Sequence, residues 1–341
     1  MNANEPASAP GTAQPPEWVD ASVNLADPRI GAKALACSDD FFAPMERMLQ
    51  PGAPVFVPGK YDDHGKWMDG WESRRRRSPG HDWCVVALGV PGTLAGVDVD
   101  TRFFTGNYPP SISIDACRKG ADPQVESSWF CILPLRAISG NSQHFLMVDA
   151  SDVVVSHVRL NIFPDGGVAR LRVYGRPSTD GVTRGPDGLV NLIALEHGGR
   201  PVAWNDAHFG KCENLLLPGR GVDMGDGWET RRRREPGNDW CVLALGMPGR
   251  VRRIEVDTAH FKGNYPDRCS LRGASPGSHD PAMLSGQSAQ WPTLLPECKL
   301  RADAIHVFEQ ECLDAGVITH VRLDIYPDGG VSRLRLWGDP A

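Results

Sequence analysis

The chain is written twice. Residues 68–92 read MDGWESRRRRSPGHDWCVVALGVPG and residues 225–249 read GDGWETRRRREPGNDWCVLALGMPG, with 19 of 25 positions identical and no gap. A second matched pair follows, FFTGNYPP at 103–110 and HFKGNYPD at 260–267. A third closes each half, HVRLNIFPDGGVARLRVYG at 157–175 and HVRLDIYPDGGVSRLRLWG at 320–338. A period this long is a duplicated domain rather than a solenoid of 20–50-residue units. Any function has to be explained by two copies of one fold.

At 341 residues each copy is long enough to bury its own core. The net charge of -6 points to neither a nucleic-acid nor a membrane partner. Residues 1–17, rich in Ala and Pro, read as a disordered tail; they have no basic n-region and no apolar h-region of a signal peptide. The nine cysteines are odd in number and form no CxxC pair, so they read as reduced thiols. Cys84 and Cys241, at matched positions beside a Trp in apolar strands, read as buried structural residues.

Period-two alternation dominates the patterning. Val158, Leu160 and Ile162 alternate with His157, Arg159 and Asn161, and Leu171 and Val173 with Arg170 and Arg172. The PDGG between these runs (Pro164–Gly167) has the residues of a tight hairpin turn. On the same pattern His157, Arg159, His320 and Arg322 belong to a solvated face. Helical periodicity is limited to short candidates at Phe42–Leu49 and Phe209–Leu216. With 37 Gly and 29 Pro between short strands, each half is expected to be an all-β, antiparallel jelly-roll sandwich. The expected boundaries are 18–175 for the first domain, 176–189 for a linker and 190–341 for the second. One asymmetry stands out. Between the matched Pro-Gly and Asp the first copy has 16 residues (53–68) and the second six (220–225). The longer loop carries Lys60, Tyr61, Asp62, Asp63, His64, Lys66 and Trp67, and binding residues concentrate on such loops.

The polar segment Gly70–Asp82 holds Glu72, Arg74–Arg77, His81 and Asp82. Its arginines are open to three readings: an ion-paired edge, an anion site in which a guanidinium forks onto a carboxylate, or a nucleic-acid patch. Alternation sends Arg74 and Arg76 one way and Arg75 and Arg77 the other. Asn107 with Tyr108, and Asn264 with Tyr265, lie in GNYP loops. There they either shape a turn, with Asn left-handed and Tyr plugging the sandwich, or hydrogen-bond a polar ligand. His81 is matched by Asn238 in the other copy, and His64 lies in the insertion. A titratable group in one copy only is what an active site confined to that copy requires. No HxxxH, HExxH or Cys/His cluster is present. A divalent-metal site of Asp62, Asp63, Glu72 or Asp82, with His64 or His81 adding nitrogen, stays open. No phosphate loop and no GxSxG elbow occurs.

DDFFAP at 39–44, KWMDGWESRRRR at 66–77, GHDWCVVALG at 80–89 and VDVDTRFFTGNYPP at 97–110, with GWETRRRREPGNDW and VDTAHFKGNYPD in the second copy, together resemble the allantoicase family. The Trp-led strand, the VDVD strand and the terminal VRL…LRVYG also resemble discoidin-type, galactose-binding-like jelly rolls. The first resemblance implies a cytoplasmic amidinohydrolase, expected as a homo-oligomer, that converts allantoate to ureidoglycolate and urea. The alternative it leaves is a non-catalytic carbohydrate- or anion-binding module. For that substrate Arg74 and Arg75 are the expected carboxylate clamp. Asp82, Asn107, Tyr108, Asn264 and Tyr265 are the expected ureido partners. His81 is the expected acid–base group, with Glu72 or His64 as substitutes, in a principal site on the first copy.

Overall fold

The computed structural model describes residues 13–278 and 280–341. The chain divides into two units, one ending at Ser178 and the other beginning at Thr179. Among the described residues α-helix is limited to α1 (Glu17–Asp20) and α2 (Pro281–Gln287). Each unit is an antiparallel jelly-roll β-sandwich, as the alternation predicts.

In the first unit the strands are β1 (Val23–Asn24), β2 (Lys33–Cys37), β3 (Tyr61–Asp62), β4 (Gly65–Lys66), β5 (Trp71–Glu72), β6 (Asp82–Asp100), β7 (Ser111–Arg118), β8 (Trp129–Ala137), β9 (Gln143–Phe163), β10 (Gly167–Val168) and β11 (Arg170–Pro177). They order β1-β11-β6-β9-β7-β8, with β2 also on β6. Strand β6 is 19 residues long, well beyond the usual few. Its register breaks between Ala87 and Gly92. A Cβ at Gly89 would lie 2.7 Å from the Ile30 carbonyl oxygen, and one at Gly92 would lie 2.3 Å from that of Arg176. The glycines let the strand bend and change partners. Before the break Cys84–Ala87 pairs with β2 and beyond it Gly92–Asp100 pairs with β11, while β9 runs along the other edge throughout. Inward positions such as Val86, Leu94, Ile114 and Leu160 are fully buried.

The second unit repeats the plan with β12 (Val190–Asn191), β13 (Arg200–Trp204), β14 (Trp228–Glu229), β15 (Asp239–Asp257), β16 (Arg268–Ala274), β17 (Thr293–Lys299), β18 (Ile305–Phe308), β19 (Ile318–Tyr326), β20 (Gly330–Val331) and β21 (Arg333–Pro340). Its order is β12-β21-β15-β19-β16-β17, with β13 and β18 on β15. Trp71 and Trp228, and Phe104 and Phe261, fill matched core positions at 0% exposure. Cys84 and Cys241 are buried, as expected.

Four expectations need correction. PDGG is not a hairpin turn: β9 pairs with β6 and β7, whereas β11 pairs with β1 and β6. The turn residues instead carry the chain across the end of the sandwich, where β10 pairs with β5. The short helices are 3-10 turns, Met45–Leu49 and Cys212–Leu216. The face of His320 and Arg322 is covered rather than solvated, at 2% and 7% exposure. Arg322 lies 4.4 Å over the Trp240 ring and donates to Ser288 Oγ, and in the first unit Arg159 covers Trp129 and pairs with Asp115. The left-handed residues of the GNYP turns are Phe103 (φ 71°) and His260 (φ 70°), not the asparagines. Asn141 Oδ1 and Asp303 Oδ1 accept their backbone N–H groups.

Most of the expected tail, residues 1–12, lies outside the described residues, and its end joins α1. Part of the expected linker is built onto the second unit: Arg184 donates to the Gly188 carbonyl, and Asp187 pairs with Arg253.

Gly167 sets a steric test. A Cβ there would fall 2.0 Å from the Phe104 ring, whereas one at Gly106 in the neighbouring turn meets nothing within 4 Å. Gly167→Ala is expected to destabilise the protein by about 1–3 kcal/mol through overpacking. Gly106→Ala should stay within about 0.5 kcal/mol of wild type. Chemical denaturation of both variants checks the contrast.

Candidate active site

The GWESRRRR segment runs along the crossover at the sandwich end. Trp71 points inward and donates its indole N–H to the Asp39 carbonyl at 2.9 Å. Alternation then turns Glu72 toward the rim. Its backbone is held on both sides, by Gly167 in β10 and by a bridge to Ala43. The half-buried carboxylate accepts the Asn107 amide at 2.7 Å. Burial pushes the Glu72 pKa above its ordinary value, while the Asn107 hydrogen bond and the nearby charge of Lys66 oppose the rise. Lys66 comes from the inserted loop.

Both ends of that loop are fixed by one buried residue. Arg170, 3% exposed, donates to the Gly52 carbonyl (2.9 Å), the Asp69 carbonyl (3.0 Å) and Asp69 Oδ2 (2.7 Å). Between these anchors β3 and β4 form a small hairpin. Lys60 sits 3.7 Å over the Trp67 ring, and Lys66 sits 4.6 Å over Phe56, which stacks on Phe103. His64 packs 4.5 Å from the Phe41 ring, and Arg74 lies 5.0 Å over the same ring. The loop thus brings Lys66 and His64 to the rim that holds Glu72 and Arg74.

The arginines divide by alternation. Arg74 clasps Asp39 through Nε (2.7 Å) and Nη2 (2.6 Å), which leaves its Nη1 edge on an exposed guanidinium. Burial alone would raise the Asp39 pKa, but hydrogen bonds from Arg74 and Phe41 outweigh it and the value falls. Arg76 turns inward to Asp82 (2.8 Å), which is 2% exposed and also accepts Ser38 Oγ. Arg75 and Arg77 are exposed.

The structure gathers only part of the expected site. Glu72, Asn107, Arg74 and His64 come to one rim. Asp82 is taken by Arg76 and serves the fold. Tyr108 plugs the sandwich end: its ring packs on the Phe104 cluster, and a Cβ at Gly140 would lie 2.3 Å from it. His81 stacks on Phe163 at 4.4 Å. Among the described residues no three His, Cys, Asp or Glu side chains are placed to hold a metal, so Asp62, Asp63, Glu72 and Asp82 form no such cluster. Sequence reasoning passed over Lys66 as a site residue, although its signal, a charged residue in a one-copy insertion, was present.

The second unit keeps the framework and changes the chemistry. Arg231 pairs with Asp206 and Arg233 with Asp239; Arg333 holds Asp226, and Asn264 donates to Glu229. Near the Asn264 amide, however, lies Met224 Sδ at 3.9 Å, and no insertion is present to supply a counterpart of Lys66. Tyr265 is half-buried in its turn. Asn238, the counterpart of His81, donates to Asp324.

Two jelly rolls with this duplicated Arg–Asp and Glu–Asn framework define a tandem-repeat β-sandwich protein. A family profile described as Allantoicase repeat matches residues 23–178 and again 190–341. The chain is 57% identical to a probable allantoicase 1 of Burkholderia mallei, over 95% of this chain and 96% of that one. It is 55% identical to a probable allantoicase of Ralstonia nicotianae, over 95% and 96%. The crystal structure of allantoicase from Saccharomyces cerevisiae superposes with a TM-score of 0.79 at 33% identity, covering 95% and 96% of the two chains. The chain belongs to the allantoicase family.

The raised Glu72 pKa can be read directly. The carboxyl should titrate above the ordinary glutamate value of 4.5. Asn107→Ala and Lys66→Met each remove an influence that lowers the pKa, so each should move it further up. Carboxyl-carbon NMR or infrared difference titration measures this, and a downward shift in either variant contradicts the geometry.

Proposed function

We propose that this allantoicase hydrolyses allantoate at the Lys66–Glu72–Asn107 rim of the first repeat. The reaction adds water to a carbon that bears a carboxylate and two ureido groups. One C–N bond breaks, a C–O bond forms, and urea leaves with a proton on the departing nitrogen; ureidoglycolate remains. The observation that carries the placement is Glu72, a half-buried carboxyl with a raised pKa beside a lysine that only this repeat has. A carboxyl of that kind takes a proton from the attacking water and returns it to the leaving nitrogen.

Charge complementarity assigns the remaining roles. The exposed Nη1 edge of Arg74 receives the substrate carboxylate. Lys66 sits near Glu72 and favours its ionised form. The second Asn107 amide hydrogen and His64 at the rim hydrogen-bond a ureido group. Nine cysteines as free thiols support a cytoplasmic location. Exposed apolar side chains such as Phe209 and Val222 support a homo-oligomer, which sedimentation velocity checks.

Urea release from allantoate tests the placement, run before and after chelation to report any metal requirement. Glu72→Gln should lower kcat/KM by about a hundredfold or more. Its twin Glu229→Gln should leave kcat/KM within about threefold, well short of an acid–base loss. Arg74→Lys should weaken substrate use, because the fork geometry is lost. Equal effects of Glu72→Gln and Glu229→Gln would sink the one-repeat site. A loss in His81→Asn as deep as in Glu72→Gln, with Asn238→His silent, would move the acid–base role to His81.

A further inference from the structure

One backbone position is strained in both repeats. Phe103 and its twin His260 stand in the left-handed region, at φ 71° and 70°, although neither is a glycine. Such strain persists only where the surroundings fix it. In the first repeat Asn141 Oδ1 accepts the Phe103 N–H at 2.9 Å, and the Asn141 N–H is shared between the Thr101 and Phe104 carbonyls. In the second, Asp303 Oδ1 accepts the His260 N–H at 2.8 Å.

The side chain at this position holds the segment that follows the Pro-Gly turn. In the second repeat His260 Nε2 lies 2.7 Å from the carbonyl oxygen of Gly221, two residues beyond Gly219. In the first, the Phe103 ring stacks on Phe56 of the inserted loop, at 6.0 Å and 22°. Phe103 also packs against the buried cluster of Met68, Phe104 and Ala169. It therefore ties the loop to the core. Phe56 in turn lies beneath the Lys66 ammonium, which is 4.6 Å from the centre of its ring. The six-residue segment of the second repeat holds neither a Phe nor a Lys.

Lys66 needs such a seat. It is exposed, in a hairpin whose paired residues are all exposed. An unconfined lysine spreads its charge over many rotamers. A ring face confines the ammonium. The other charged groups around Glu72 are occupied elsewhere. Asp165, in the turn before β10, accepts the Arg76 backbone N–H, and Asp39, ahead of the Ala43 bridge, is clasped by Arg74. Within the loop Lys60 sits over Trp67, and Asp62 accepts the His64 backbone N–H. The GNYP turn offers the neutral Asn107 amide. Lys66 is the cation that acts on the Glu72 carboxyl.

We propose that Phe103 and Phe56 are positioning residues of the hydrolytic rim: their two-ring stack seats the Lys66 ammonium and so keeps a positive charge at Glu72. Their part in hydrolysis rests on the placement of the reaction at Glu72. A cation held beside the carboxyl favours its ionised form, the form that takes a proton from water. Without the seat the charge disperses and the Glu72 pKa rises further. The acid limb of kcat/KM then moves to higher pH.

Phe56→Leu removes the ring face and keeps apolar bulk, whereas Phe56→Tyr keeps the face. Carboxyl-carbon NMR on the full chain reads the Glu72 titration without turnover. Phe56→Leu and Phe103→Leu are each expected to move it upward, in the direction of Lys66→Met and by no more than that variant does. Phe56→Tyr should match wild type. Adding Phe56→Leu to Lys66→Met should shift the titration no further, a coupling that a general loosening of the loop does not produce. The acid limb of the urea-release profile should follow the same order. Melting temperatures check folding, and Phe56, at 37% exposure, carries the test if Phe103→Leu does not fold. The proposal is overturned if Phe56→Leu titrates as wild type does, if Lys66→Met fails to raise the pKa, or if Phe56→Leu shifts it equally with and without Lys66. Undiminished urea release in Glu72→Gln, with these shifts in place, sinks the hydrolytic rim and leaves the seat of Lys66 standing.

Discussion

The buried guanidinium of Arg170 is the interaction on which the first repeat's rim depends. It gathers the carbonyls of Gly52 and Asp69 and the Asp69 carboxylate at one point, so both ends of a 16-residue loop are fixed by one side chain. Removing one partner of such a buried pair costs about 3–5 kcal/mol, because the other charge stays behind unpaired. The aromatic and cationic contacts within the loop are each individually small. Without the anchor they could not hold Lys66 against Glu72. The loop's precision is borrowed from the strand that carries Arg170.

Duplication separates framework from chemistry without an alignment. What both copies share is the Arg–Asp pairs, the Glu–Asn pair and the glycine packed on a core phenylalanine. Those features build the same jelly-roll end in both copies, so Glu72 and Arg74 are set apart from their twins only by what the first copy adds beside them. What one copy alone has is the lysine, the two histidines and the longer loop. Asp82 illustrates the error of ignoring this distinction. It reads as a substrate ligand from sequence, yet it is 2% exposed and taken by Arg76, as its twin Asp239 is by Arg233, which leaves both to the fold.

The fold was largely legible because period-two alternation is a direct record of burial. Its failures occurred where a tertiary partner intervened. PDGG has the composition of a hairpin, but composition cannot say whether the flanking strands pair with each other or with β6. Arg322 alternates as an outward residue, and only the packing of Trp240 and Ser288 around it covers that face. Within the site, Glu72 and Arg74 were legible as polar residues at an edge. Lys66 was visible only as part of an insertion, since nothing in a sequence states that a loop folds back 6 residues upstream of the carboxylate it will oppose. His81 drew attention through its asymmetry, but the stack on Phe163 depends on the crossover that the hairpin reading hid.

The two repeats diverge at one shared turn. In the first, Pro51-Gly52 leads into the long loop, and the Pro51 and Gly52 carbonyls cap Arg172. In the second, Pro218-Gly219 leads at once to Arg220, which pairs with Asp257. Lengthening the segment after this turn carries the chain away toward the rim; leaving it short keeps an arginine over the sheet. Trp18 packs over Gly96 beside Tyr174 in the first repeat, and in the second Arg253 stands at the matched position and covers Trp337. A loop length is thus enough to give one jelly roll a lysine-bearing rim that its twin lacks, while the strands and their ion-paired ends stay the same.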